Sequence, residues 1–114
     1  MLDKLTTQKI VVKISNMKAK QLVRQRVEIS SSRFAELVIW QLPKPLEASL
    51  HSYKYRLAYV VDGECVMRYD NEAGKGDHRH LGAVELSYKY KSPRQLMADF
   101  FDDLKRYNHE HPDD

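Results

Sequence analysis

A chain of 114 residues, 42% apolar and 31% charged, is long enough to bury one core and too apolar for wholesale disorder. Its lone cysteine, Cys65, excludes an intrachain disulfide, and no apolar run reaches the roughly 20 residues of a membrane span, so a reducing, cytoplasmic setting without membrane contact is expected. The net charge of +3 hides a gradient: residues 1–30 hold seven Lys/Arg against two Asp/Glu, and residues 92–114 three against six, which permits an anionic partner such as RNA without requiring one.

Residues 1–16 lack an amphipathic period, and Met17 opens a stretch that reads like a natural start. They are expected to form an N-terminal extension or arm, with an edge strand at Lys9–Ile14 as the alternative. Residues 17–108 are expected to form the single folded domain, and 109–114 a flexible tail.

From Lys18 to Ile29, Val23, Val27 and Ile29 share one parity and the charged residues mostly the other, the alternation of a half-buried strand. Ser30-Ser31-Ser32 supplies a turn. Phe34 to Leu42 is apolar on both parities, which predicts a central strand covered on both faces, ended by Pro43 and Pro45. His51 to Val61 alternates cleanly, and Asp62-Gly63 is a favoured two-residue hairpin turn before a return strand over Glu64–Tyr69. Residues 70–77 have the Asp, Asn and Gly content of a loop. Val84 to Tyr90 alternates again. Ser92-Pro93 then starts a helix whose stripe, Leu96, Met97, Phe100, Phe101, Leu104 and Tyr107, can cover one sheet face. The prediction is an α+β fold: an antiparallel β-meander of four to five strands packed on one C-terminal amphipathic helix. Cys65 is expected to be a small core hydrophobe. Most tyrosines should fill the sheet-to-helix interface with hydroxyls reaching water at the rim, and Asp99, Asp102 and Asp103 should form a solvated face.

The chemistry-bearing residues gather at positions 68–80. In an extended chain His78 and His80 point to one side and Arg79 to the other, with Asp70 and Asp77 bracketing a glycine-rich loop. Three readings follow. A histidine can move the proton of a ribose 2′-hydroxyl, oriented by a second histidine or an aspartate, while Arg or Lys stabilises charge on a phosphate. His-x-His beside carboxylates can also ligate Zn²⁺ or Mn²⁺, but the spacing alone does not require it, and no cofactor is expected. In a purely structural reading the glycines serve the turn and the polar side chains satisfy the backbone. His51, on the inward parity of Tyr53 and Tyr55, reads as a hydrogen-bonded wall residue.

Several stretches together carry a family resemblance. They are His51-Ser52-Tyr53-Lys54-Tyr55-Arg56-Leu57, Arg68-Tyr69-Asp70-Asn71 and Gly74-Lys75-Gly76-Asp77-His78-Arg79-His80. Val38-Ile39-Trp40-Gln41-Leu42-Pro43-Lys44-Pro45 belongs with them, as does the closing Tyr90, Ser92-Pro93-Arg94-Gln95-Leu96 and Asp99-Phe100. Over roughly residues 17–108 the chain resembles the TumE-type toxins of bacterial toxin–antitoxin pairs. The resemblance implies a toxin whose partner is a small helix-turn-helix antitoxin. On it, Asp70, Asp77, His78, Arg79 and His80 would carry a catalytic, ribonuclease-like activity, and Lys54, Arg56, Arg68 and Lys75 would hold RNA. Lys54 and Arg56 share the solvent-side parity of their strand, so that placement follows from alternation as well. The alternative is a non-catalytic protein-interaction or RNA-binding module with the same kind of partner. Whether the chain is an enzyme, and its oligomeric state, stay open at this point.

Overall fold

The computed structural model describes residues 18–113. Among them six strands run in chain order: β1 (Lys20–Ser30), β2 (Arg33–Gln41), β3 (Tyr53–Val61), β4 (Glu64–Glu72), β5 (Gly76–Leu81) and β6 (Val84–Ser87). One helix follows, α1 (Pro93–Glu110). The strands form one sheet in the order β1-β2-β3-β4-β5-β6, each pair antiparallel. This is the expected α+β meander with its C-terminal helix, with six strands where four to five were expected, the extra one being β5. The arm at residues 1–16, and the edge strand that was its alternative, lie outside the described residues.

Turn chemistry sets the register. Asp62 and Gly63 both take positive φ, +52° and +79°, as the tight β3–β4 hairpin requires. The stretch 70–77, read as a loop, is mostly strand. β4 runs on to Glu72 and β5 begins at Gly76, so only Ala73, Gly74 and Lys75 turn. Gly74 (φ +79°) and Gly76 (φ +86°) adopt the left-handed region there. Beyond Asp70 the buried Asn71 side chain extends the link to β3. Its Oδ1 accepts from the Tyr55 N–H at 3.0 Å, and its Nδ2 donates to the Tyr53 carbonyl at 2.7 Å. A loop-type residue thus stands in for ladder backbone, which composition could not reveal.

Alternation sends Ala35, Leu37, Ile39, Tyr55, Leu57, Tyr59, Met67 and Tyr69 to one face, against Leu96, Phe100 and Leu104 of α1. The helix begins where expected: Ser92 Oγ accepts from the Gln95 N–H at 3.0 Å and Pro93 occupies the first turn. Phe34, Val38 and Trp40 take the other face, where they are half-buried rather than enclosed, and the Arg26 guanidinium lies 3.6 Å over the Phe34 ring.

Three further expectations are corrected. Cys65 is exposed, not core. A register shift between Tyr59 and Val60 pairs Val60 with Cys65, which turns Cys65 off the parity it would otherwise share with Met67. The hydroxyls of Tyr59, Tyr69 and Tyr88 are not wetted at a rim, and two of the three helix aspartates are not simply solvated. Tyr69 donates to Asp103, Tyr88 to Asp99 at 2.6 Å, and Tyr59 to Asn108 at 2.6 Å. Asp103 is only 7% exposed and also accepts from Arg79 at 2.9 Å and Arg106 at 2.8 Å; Asp102 alone is exposed as expected. A hydroxyl inside an interface needs an acceptor, and the helix supplies it. Burial first, then these carboxylates, push the Tyr69 and Tyr88 phenols above their usual range.

Candidate functional site

Strand parity divides the 68–80 motif between the two faces of the sheet. The β4–β5 register sets Arg68 opposite His80 and Asp70 opposite His78, all facing away from α1. It sets Tyr69 opposite Arg79 and Asn71 opposite Asp77 on the helix side. Of the five residues proposed for catalysis, the structure therefore brings Asp70, His78 and His80 together. It does not bring Asp77 and Arg79 to them, because successive residues of a strand point to opposite faces.

On the helix side the carboxylates and His51 are engaged, while Arg79 Nε and the Tyr90 hydroxyl are buried without a hydrogen-bond partner among the described residues. Asp77 Oδ1 lies 2.8 Å from His51 Nε2 and accepts from the Tyr55 hydroxyl at 2.6 Å. His51 Nδ1 accepts from the Tyr53 N–H at 3.1 Å, so the ring donates through Nε2 to Asp77, and Tyr90 stacks on it at 3.9 Å between centroids. His51 is thus the hydrogen-bonded wall residue its parity implied. Burial, reinforced by Asp77, pushes the Tyr55 phenol well above its usual range. Arg79 bonds Asp103 at 2.9 Å and the Tyr69 hydroxyl at 3.2 Å, and it lines a cleft of about 490 Å³ beside α1 with Lys89, Lys91 and Asp102.

On the helix-free face His78 is almost fully buried, at 4% exposed, while Asp70 and His80 are half-buried. His78 Nε2 lies 2.7 Å from Asp70 Oδ1. The contact is close but not aligned as a hydrogen bond: Asp70 Oδ1 has no hydrogen-bond partner among the described residues. Nor does His80 Nε2, which is likewise buried. The two imidazoles meet edge to face with centroids 5.1 Å apart. The His78 Nδ1–H donates to the Gly76 carbonyl at 3.2 Å, and Arg68 Nε donates to Asp70 Oδ2 at 3.0 Å. One ligand atom from each of Asp70, His78 and His80 falls within 4.8 Å of the others.

Positive charge borders this cluster. Arg56 is exposed and directly opposite Asp70 across β3–β4. Lys54 Nζ donates to the Asn71 carbonyl. Burial pushes its ammonium below its usual range, against the pull of Asp70 and Glu72. Lys75 lies 3.0 Å from Glu85 and 3.8 Å from Glu72. Sequence reasoning missed Glu85. It faces His80 across β5–β6, its Oε2 lies 4.0 Å from His78 Nε2, and the bond from Lys75 holds its carboxyl below the usual range. Its alternation with Ser87 was legible, but only the β5–β6 register shows that it reaches the imidazoles.

The family model described as Toxin TumE matches residues 3–108. The chain belongs to the TumE toxin family. No curated protein and no solved structure matches it. The match takes in residues 3–16, which the motif-level resemblance had left outside. As a TumE-family toxin the chain is expected to have an antitoxin partner, and no described helix is long and apolar enough to cross a membrane.

Proposed function

We propose that this TumE-family toxin acts on RNA through the helix-free face of its sheet. Asp70, His78 and His80 are its reactive groups, and Lys54, Arg56 and Arg68 are its phosphate contacts. The observation that carries the reading is the pair of unpartnered, buried polar atoms, Asp70 Oδ1 and His80 Nε2, beside His78 and flanked on the same face by the basic side chains of β3. Leaving a buried polar atom unpaired costs about 1–3 kcal/mol, and each such atom calls for an explanation, a catalytic or ion-binding role among them. Imidazoles at this distance can pass a proton to and from a ribose hydroxyl, while guanidinium and ammonium groups neutralise the phosphate. Asp77 and Arg79 act in this proposal through the fold: Asp77 holds His51 and Tyr55, and Arg79 holds Asp103. Lys75 contributes by fixing Glu85 rather than by meeting phosphate directly.

The partner in this reading is a small helix-turn-helix antitoxin. Purified toxin incubated with total RNA tests the activity, alongside growth arrest on induction. Cleavage that vanishes with His80→Gln and Asp70→Asn, in variants of unchanged circular dichroism, supports the proposal. Full growth arrest by both variants would remove these residues from the mechanism, and arrest with intact RNA would point to a binding module instead.

A further inference from the structure

We infer that Asp70, His78 and His80 form a binding site for one divalent transition-metal ion of the Zn²⁺ class. The site deepens the reading above and rests on the same cluster, to which it adds the ligand set, its spacing and the groups behind the ligands. The first is the ligand set. Two imidazoles and one carboxylate, with no thiolate near, match three-ligand sites that leave a further position for water or a substrate oxygen.

The second is distance. Ligand atoms around a tetrahedral ion with bonds of about 2.1 Å lie about 3.4 Å apart. The 2.7 Å between His78 Nε2 and Asp70 Oδ1, and the 4.8 Å limit for all three residues, bracket that spacing. Small rotations of the side chains would even it out.

The third is the set of groups behind the ligands. A metal-bound imidazole nearly always gives its other N–H to a carbonyl or carboxylate, and a ligating carboxylate is itself hydrogen-bonded. Here the Nδ1–H of His78 is held by the Gly76 carbonyl, which leaves Nε2 free. Arg68 holds Oδ2 of Asp70, which leaves Oδ1 free. Asp70 Oδ1 has no hydrogen-bond partner among the described residues, although it is buried and His78 Nε2 lies 2.7 Å away. A shared proton would be expected to align that contact as a hydrogen bond. With Nδ1–H committed to Gly76, Nε2 turns its lone pair toward Asp70 Oδ1, and a cation bound by both atoms, which would spread them to about 3.4 Å, satisfies the two together. By contrast His51, which also faces an aspartate, has a partner on each ring nitrogen and presents no lone pair.

The test measures binding, not activity. Toxin stripped with a chelator is titrated with Zn²⁺ by calorimetry and with Co²⁺ by visible absorption. The expected result is one equivalent of metal, with Asp70→Asn and His80→Gln each weakening affinity at least about tenfold, and Arg68→Gln weakening it in the same direction by loosening Asp70. His109 and His111, exposed near the end of α1, are the competing imidazoles, so a His109→Gln/His111→Gln variant is expected to bind normally. Absence of stoichiometric binding overturns the inference. So does binding that survives Asp70→Asn and His80→Gln but is lost in the tail variant. Metal binding without RNA cleavage would sink the RNA reading and leave this site standing. Cleavage by a toxin that binds no metal would do the reverse.

Discussion

The two faces of this sheet are built from the same residue types and treat them oppositely. On the helix side Asp77, Asp103, His51 and Tyr69 are locked into mutual hydrogen bonds, and Asp103 alone accepts from Tyr69, Arg79 and Arg106. On the helix-free face Asp70 and His80 each keep a buried polar atom without a partner. A helix packed against a face brings its own acceptors, so Asp103, Asp77 and His51 are satisfied there as the core closes, although Arg79 Nε and the Tyr90 hydroxyl stay buried without a partner. A face with no described element upon it can hold groups in reserve. Residue type therefore says little about role in this protein, and the face on which a residue lies says a great deal.

That contrast can be broken most directly at the helix side. Phe100→Ala removes a fully buried ring and is expected to lose about 3–5 kcal/mol of unfolding free energy in urea denaturation. A loss within 1 kcal/mol would mean that α1 is not the cover of the core. On the other face, His80→Gln and Asp70→Asn should reduce RNA cleavage at least about 100-fold while shifting stability by about 1 kcal/mol or less. An equal loss of stability on both faces would erase the distinction. Asp103→Ala, which removes the carboxylate shared by the Tyr69 hydroxyl and Arg79, should cost about 2 kcal/mol in the same urea assay.

Alkaline pH gives a smaller and graded test. Burial raises the phenols of Tyr55, Tyr88 and Tyr90 above their usual value. The unfolded chain therefore sheds these protons first, at about pH 10, while the folded chain retains them. Their contribution to stability is fully present below about pH 10 and is lost as pH rises above it, by up to about 1.4 kcal/mol per phenol per pH unit. Phenolate absorbance should lag behind that of free tyrosine until the chain unfolds, and a normal titration of all seven tyrosines would refute the closed interface. The smallest effect belongs to Arg56. If it meets a phosphate, Arg56→Gln should reduce the dependence of log K on log salt by about one for RNA binding, with no change in fold.

Much of the fold was legible because hydrophobic period and turn chemistry are local. His51 to Val61 alternates, Asp62-Gly63 tolerates positive φ, and Ser92-Pro93 starts a helix wherever it occurs beside an apolar stripe. The end of β4 and the whole of β5 were hidden because Asp, Asn and Gly favour loops, and only cross-strand pairing keeps Asp70 to Glu72 and Gly76 to Leu81 extended. The exposure of Cys65 was hidden because one register shift changes its facing. In the candidate site, the common side of His78 and His80, with Arg79 opposite, was readable from parity.

The amino-acid sequence by itself determined the α+β meander, the helix start, the family and the parity of β3 and of the His78-Arg79-His80 stretch, since all of these depend on neighbours a few positions away. Tertiary structure alone decided which carboxylate meets which base. Asp77 pairs with His51 across 26 positions and Asp103 with Arg79 across 24, whereas Asp70 is left beside His78 and His80. Those partnerships arise from strand register and from the face that α1 covers, and both are set by the packing of the whole chain.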